Sequence, residues 1–472
     1  MNDVAVKTLS ARDLVGDLLD QQQSLTAVDR FSQQHESATE PLQAQFYRDL
    51  IPLEKPGKGE QYSFQVDLEA CSACKACVSA CHHLNGLEIY ESWRDVGTLL
   101  GDDGQKTVTT ACHHCAEPAC AEGCPVLAYE KDPETGIVRH LDDQCIGCKY
   151  CEMKCPYGVP KYSVRLGIVR KCDMCYNRLA ADEAPACVQA CPNDAIAIKV
   201  VETAAVPASG SMVPGAYDSS YTKPTTNFVG WEAGEGLRPA AGEELRPAHS
   251  HLPLVFMLVL TQAAVGISAA ALLTGDFGMR LTAVALGALG LGASVLHLGQ
   301  PLKAWRAFLG WRKSWLSREI LVFGAWFSAL LAFAVSGLPL IGLGALGLGL
   351  AGVFCSVMVY VDTRREFWSM PRTGGRFFGT VLLCGASLIG FPWVVLAVLV
   401  KLVAELDGMR IDGSRALVVG PLRRFAVVRF GLLLGGVACA LVSPPLALAL
   451  FIVGELFERV LYFSAVVEPR MP

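Results

Sequence analysis

The sequence predicts an α+β, multi-centre cysteine domain joined to an all-α bundle of seven or eight transmembrane helices. Three observations predict it. Sixteen of the 19 cysteines fall between Cys71 and Cys191. Seven apolar runs of about 18 or more residues follow His251, each long enough to cross a bilayer. The chain as a whole is 52% hydrophobic with a mean hydropathy of +0.36 and only 18% charged residues, more apolar than an ordinary soluble protein. A net charge of -5 and a pI near 6.0 supply no basic field, so nucleic acid is excluded as a partner.

Residues 1–61 form a polar extension. It has no apolar stretch after a basic start and no twin-arginine pair, so no export signal is expected. Leu14, Val15, Leu18, Leu19 and Leu25 recur at roughly helical spacing. They predict an amphipathic helix that docks either on a partner or on its own domain. Residues 62–203 are the cysteine domain, with short strands expected around 136–140 and 195–201. Residues 204–250 carry Pro207, Pro214, Pro224, Pro239 and Pro247 without a sustained period. They read as an irregular linker, or as a strap over a partner.

Residues 251–472 hold the apolar runs: 252–274, 281–298, 319–336, 338–361, 377–406, 426–443 and 445–467. The fifth is long and contains Phe391-Pro392, so it is one tilted helix or two that meet at the proline. Lysine and arginine collect on the cytoplasmic side of membrane proteins. Lys303, Arg306, Arg312, Lys313 and Arg318 in one loop, and Arg364, Arg365, Arg372 and Arg376 in another, lie on the side of the cysteine domain. Arg410, Arg415, Arg423 and Arg424 join them only if the path crosses eight times. The expectation is eight crossings of the cytoplasmic membrane with the cysteine domain in the cytoplasm; a partner with its own export signal would place it in the periplasm.

The cysteines form four quartets: Cys71, Cys74, Cys77, Cys81; Cys112, Cys115, Cys120, Cys124; Cys145, Cys148, Cys151, Cys155; and Cys172, Cys175, Cys187, Cys191. The third has the C-x2-C-x2-C-x3-C-P spacing of a ferredoxin-like run, in which three thiolates hold one cluster and the fourth reaches a neighbouring one. Disulfides are disfavoured in a reducing compartment, and structural zinc uses two C-x2-C pairs rather than triplets. Four [4Fe-4S] clusters are therefore expected. Crossed ligation pairs the quartets, and spacing leaves nested and sequential pairing open. In the nested scheme Cys71, Cys74 and Cys77 take Cys191, and Cys172, Cys175 and Cys187 take Cys81. Likewise Cys112, Cys115 and Cys120 take Cys155, and Cys145, Cys148 and Cys151 take Cys124. His82, His83, His113 and His114 adjoin complete quartets and are expected to support them or to lie on the surface.

Through CIGCKYCEMKCPYG, KCDMC and ACVQACPNDAI, residues 62–200 resemble the iron-sulfur subunit of dimethyl sulfoxide reductase-type molybdoenzymes. The resemblance implies nested pairing. It also implies a cubane in the third group, because Cys148 stands where some relatives carry tryptophan and hold a three-iron cluster.

Ionisable residues in or beside membrane helices suggest function. His297, in VLHLGQP, ends the second run and Glu319, in LSREI, opens the third, both on the cysteine-domain side. They are the candidate quinol site, where ring hydroxyls must be bound and protons accepted. His297 is the only histidine after His251, so no bis-histidine haem is expected in the chain. Glu455 with Arg459, and Lys401 with Glu405, read as buried i,i+4 pairs. Gly342, Gly344 and Gly347 match G-x-G-x-x-G only inside an apolar helix, which points to close helix packing. VLHLGQPLKAWRAF, SREI and GELFERVLYF resemble the membrane anchor subunit of the same reductases. There the residues matching His297 and Glu319 are implicated in menaquinol oxidation. Fusion of the two subunits and a shortened region around 377–425 depart from that family.

The sequence thus reads as an electron-transfer and anchor subunit. It oxidises quinol from the membrane pool and passes electrons to a separate molybdopterin-containing catalytic subunit, with no terminal-substrate site of its own. The alternatives are a dehydrogenase module running in reverse and a stand-alone membrane quinone-linked ferredoxin.

Overall fold

A computed structural model describes all residues except 1–14, 17, 21–23, 25, 39–41, 103, 208, 233–235, 241–244, 469, 470 and 472. Leu14 and Leu25 of the expected amphipathic helix lie outside the described residues, whereas Val15, Leu18 and Leu19 are helical and exposed. Helix α1 (Ala27–Ser37) follows, closed by a capping box between Thr26 and Asp29, and it too buries none of its side chains. The short α2 (Ala44–Tyr47) places Ala44 and Tyr47 in the core of the cysteine domain.

That core is built on β1 (Glu60–Asp67) and β8 (Ile196–Glu202). They pair antiparallel, with Phe64 opposite Ile198 and Val66 opposite Ile196. Between them in sequence come α3 (Ala76–Leu84), the hairpin of β2 (Asp95–Gly101) with β3 (Gly104–Thr110), and α4 (Ala119–Gly123). A second hairpin joins β4 (Tyr129–Lys131) to β5 (Val138–His140), followed by α5 (Tyr150–Lys154). A third joins β6 (Lys161–Ser163) to β7 (Ile168–Arg170), before α6 (Tyr176–Ala180) and α7 (Ala186–Gln189). Tyr62, Phe64, Ile196 and Ile198 share one buried core with Cys77, Cys112, Cys172 and Cys187. These cysteines double as core residues.

The proline-rich segment does more than link. Its β9 (Asn227–Val229) adds to β1 in parallel, and its β10 (Arg238–Pro239) adds to β2. Tyr217 and Tyr221 donate to the carbonyls of Arg364 and Asp362, both at 2.8 Å, so the strap covers its own domain and ties it to the helical half.

The helical half comprises α8 (Leu252–Thr274), α9 (Phe277–Val295), α10 (Trp315–Ser336), α11 (Pro339–Val361), α12 (Met370–Ile389), α13 (Phe391–Gly408), α14 (Asp412–Val419), α15 (Arg423–Cys439) and α16 (Pro444–Ser464). Among the described residues, α8 to α11 are long and apolar enough to cross a membrane by length and composition. The remaining long helices carry charges or fall short in length. The fifth apolar run is two helices: Pro392 lacks an N–H and sits in the first turn of α13, where none is needed. Helix α8 is the centre of the bundle, and its Gly266 lies so close to α12 that a Cβ there would meet the Val381 carbonyl oxygen at 2.2 Å.

Candidate iron-sulfur centres and an adjoining cavity

All four quartets share a local conformation. The residue before the second cysteine is left-handed each time: Ala73 (φ 60°), His114 (φ 40°), Gly147 (φ 67°) and Met174 (φ 59°). Such a turn points successive N–H groups toward one centre, a concavity suited to an anionic group. N–H groups reach sulfur accordingly: Gly147 to Cys145 at 3.3 Å, Met174 to Cys172 at 3.4 Å, Ala195 to Cys191 at 3.3 Å and Ala128 to Cys124 at 3.2 Å.

The quartets are interleaved in space. Cys71, Cys74, Cys77 and Cys191 ring one small hollow. Burial pushes the Cys81 thiol up to about 12, with Cys187 and Cys175 adding to it. Burial likewise pushes Cys155 up to about 11 beside Cys112, and Cys124 up to about 11 beside Cys145. Cys148 is raised by burial and then by Cys124 and Cys145. These neighbours follow the nested scheme. Among the described residues no three His, Cys, Asp or Glu side chains converge as one metal ion requires. Four thiols around a hollow, with N–H groups aimed at sulfur, fit a polynuclear centre broader than a single ion.

The ring of Cys124, Cys145, Cys148 and Cys151 rests on the helical half. The N–H of Gln300 donates to the Ile146 carbonyl at 3.0 Å, and that of Gly310 to the Pro125 carbonyl at 2.8 Å. Ser314 Oγ donates to Gly123 O at 2.7 Å, Tyr150 Oη to Val359 O at 2.8 Å, and Lys154 pairs with Asp362 at 2.6 Å. Contact is backbone to backbone where Gly147 meets Gly299: a Cβ on Gly299 would lie 2.0 Å from the Gly167 oxygen.

Beneath this seam is a cavity of about 260 Å³ whose lining includes Cys148, Tyr150, His297, Glu319 and Tyr360. The rest of its wall is mostly aliphatic, from α8, α9 and α10. The structure therefore brings His297 and Glu319 together, and sets them beside Cys148. Glu319 is buried at the start of α10 and accepts a short hydrogen bond from Ser356 of α11. His297 lies past the end of α9 with its Nδ1 unpartnered. Burial pushes its imidazole down to about 4, so the ring is neutral at physiological pH and can take a proton. The cavity walls combine apolar surface with a few polar groups, the character of a small-molecule site.

Residues 105–201 match the family described as 4Fe-4S dicluster domain, and residues 247–398 the family described as DMSO reductase anchor subunit (DmsC). The sequence is 38% identical over 154 residues to the probable anaerobic dimethyl sulfoxide reductase chain YnfG of Escherichia coli K12, covering 30% of this chain and 75% of the relative. The protein belongs to the YnfG-like family of anaerobic dimethyl sulfoxide reductase chains. It fuses that iron-sulfur electron-transfer subunit to a membrane anchor domain of the DMSO reductase type. A further anaerobic dimethyl sulfoxide reductase chain of the same strain is 39% identical over 144 residues, covering 28% of this chain and 70% of the relative. The hydrogenase-2 operon protein HybA of Escherichia coli O157:H7 is also similar, at 32% identity over 160 residues, 28% of this chain and 49% of the relative.

Several residues of this DMSO reductase-type chain were not legible from motifs. Tyr150 and Tyr360 line the cavity from opposite halves, and only the position of Tyr150 between Cys148 and Cys151 signalled it. His113 and His114 are wholly internal. His113 bonds Thr226 at 2.9 Å, and His114 Nδ1 accepts from the Val138 N–H at 3.0 Å. The expected Glu455–Arg459 pair does not form. Glu455 instead holds Lys401 at 2.7 Å and Arg429 at 2.8 Å, while Arg459 reaches Glu458 at 3.2 Å and Gln262 at 3.0 Å. Arg376, expected among the loop charges, is buried in α12 against Glu458 at 3.1 Å.

Proposed function

We propose that this chain oxidises quinol in the cavity at His297 and Glu319 and relays the electrons through four [4Fe-4S] clusters to a separate molybdopterin-containing catalytic subunit. The observation that carries the reading is one cavity lined by His297, Glu319 and Cys148 together. Quinol loses two protons and two electrons to become quinone. The free Nδ1 of neutral His297 and the Glu319 carboxylate are placed to receive the protons. The nested quartets would hold the clusters: Cys71, Cys74, Cys77 and Cys191; Cys81, Cys172, Cys175 and Cys187; Cys112, Cys115, Cys120 and Cys155; Cys124, Cys145, Cys148 and Cys151. Bound there, they supply one-electron transfer. No haem enters the path.

The four domain units, 1–61, 62–203, 204–250 and 251–472, carry this division of labour, with the helical half crossing the cytoplasmic membrane eight times. Lys303 and Arg306 donate to the Asp143 carbonyl and Lys313 pairs with Glu122 of the cysteine domain, contacts that support that domain lying on the side of the basic loops. The positive-inside tendency makes that side cytoplasmic.

The test is purification of the tagged chain in mild detergent from its native membranes, with iron, molybdenum and co-purifying chains measured, and with cluster reduction by added quinol followed by EPR. Molybdenum, a large partner and four reducible clusters are expected. Iron without molybdenum or companion would replace the reading with a stand-alone quinone-linked ferredoxin; clusters that quinol cannot reduce but quinone oxidises would reverse the direction.

A further inference from the structure

The cysteine domain buries two cations whose charged neighbours are thiols rather than carboxylates. Arg94 is 2% exposed and donates to Thr109 Oγ1 at 3.2 Å. The same Thr109 oxygen lies 3.5 Å from Cys77 Sγ. The guanidinium has Cys187, Cys77, Cys172 and Cys81 as its charged neighbours, stands 4.8 Å over the Phe64 ring, and leaves Nη2 without a partner. It therefore bridges the ring containing Cys77 and the ring containing Cys187. Lys171, also 2% exposed, donates to the Cys172 carbonyl at 2.7 Å and makes a short bond to the Val138 carbonyl. Cys112, Cys120 and Cys172 are the charged groups around its ammonium, so it stands where the Cys172 ring meets the Cys112 ring.

The third junction differs. Tyr129, a neutral phenol, stands beside Cys151, Cys120 and Cys124 with its hydroxyl unpartnered. The last ring has Glu152 beside Cys151, and a His140–Asp142 pair at 2.7 Å beside Cys145. Fixed buried cations thus occur at the two junctions remote from the helical half. Burying an unpaired cation is costly, and here the anions that repay it are the thiolate centres themselves.

We infer that Arg94 and Lys171 are positioning residues of the relay that hold up the reduction potentials of the three centres remote from the membrane. Adding an electron adds a negative charge, and a fixed cation in a low-dielectric interior favours that state over its oxidised form. The inference rests on the cluster reading above.

The test is an EPR-monitored redox titration of the complete complex in detergent. Arg94→Gln is expected to lower the potentials of the centres held by the Cys77 and Cys187 rings by at least tenfold in the one-electron equilibrium, about 59 mV. Lys171→Gln does the same at the Cys172 and Cys112 rings. Arg94→Lys restores most of the change, and the Cys148 ring keeps its potential in every variant. Unchanged potentials with iron retained would overturn the inference, as would an equal shift at all four centres. Should Arg94→Gln lose iron, Thr109→Val unpins the guanidinium without removing it. That variant must lower the Cys77-ring potential, and an unchanged value there refutes the role of Arg94. Absence of any cluster signal in the unmodified complex refutes the cluster reading instead.

Discussion

Gln300 donates its backbone N–H to the carbonyl of Ile146 at 3.0 Å, which fastens the loop after His297 to the loop between Cys145 and Cys148. The adjoining Gly299 has no room for a side chain against Gly167. Gly299→Val is therefore expected to open the seam. Quinol-dependent reduction of the centres falls at least tenfold, while dithionite still reduces all of them and the iron content is unchanged. Stopped-flow absorbance with each donor separates the two.

Removing a proton acceptor from the cavity acts on the quinol step alone. His297→Phe and Glu319→Gln should each slow quinol oxidation by about 10²–10⁴-fold, the usual worth of a positioned acid or base. Ser356→Ala deletes one bond to Glu319 and should cost about fivefold, the kinetic equivalent of roughly 1 kcal/mol. Cluster EPR spectra are expected to match the unmodified protein in all three.

The depressed pKa of His297 fixes a sign for pH dependence. With its folded value near 4 against 6.5 unfolded, the ring is uncharged above about pH 5. Its capacity as an acceptor is then constant through neutrality and is lost as pH falls through about 4. Burial of the neutral form makes a stability contribution present above 6.5, which declines as pH drops from 6.5 toward 4. His297→Gln should flatten that acid limb in thermal unfolding scans.

Cys148 serves two structures at once, the ring with Cys124 and the wall of the cavity. Cys148→Ser is expected to remove or convert one centre, lowering iron by up to one cluster. It should abolish quinol-dependent reduction but leave the other centres reducible by dithionite. Iron analysis with EPR checks both.

In the helical half, Lys401 contacts Glu455 at 2.7 Å and Glu458 at 3.6 Å, and all three are essentially inaccessible. Lys401→Met leaves buried carboxylates under-compensated and should destabilise the domain by about 3–5 kcal/mol. Combining it with Glu455→Gln should recover part of the loss. Detergent-solubilised thermal melts of the single and double variants measure the difference.

The cysteine turns were legible because they are local: a pair of cysteines two residues apart is spanned by one turn, seen in the left-handed Ala73, Gly147 and Met174. His297 and Glu319 were legible as costly groups at helix ends, beside motifs of a known anchor. The division of 377–406 into α12 and α13 was written in Pro392, which offered a choice that only packing resolved. Lys401 and Glu405 pair at 3.8 Å as expected, but Glu455 and Arg459 were misread as an i,i+4 pair, because charges four apart on one helix are neighbours only if other helices do not claim them first. Here α12, α13 and α15 did.

By itself, then, the sequence determined the chemistry available: sixteen thiols in four local turns, an apolar half that belongs in a bilayer, and two titratable groups at its edge. Tertiary structure decided adjacency. Which cysteines lie together, that Arg94 and Lys171 stand between cysteine groups, and that Cys148 faces the same cavity as His297 and Glu319 all depend on contacts between residues far apart in the sequence. Such contacts are set by close packing of helices and strands, whose geometry no local pattern of residues encodes.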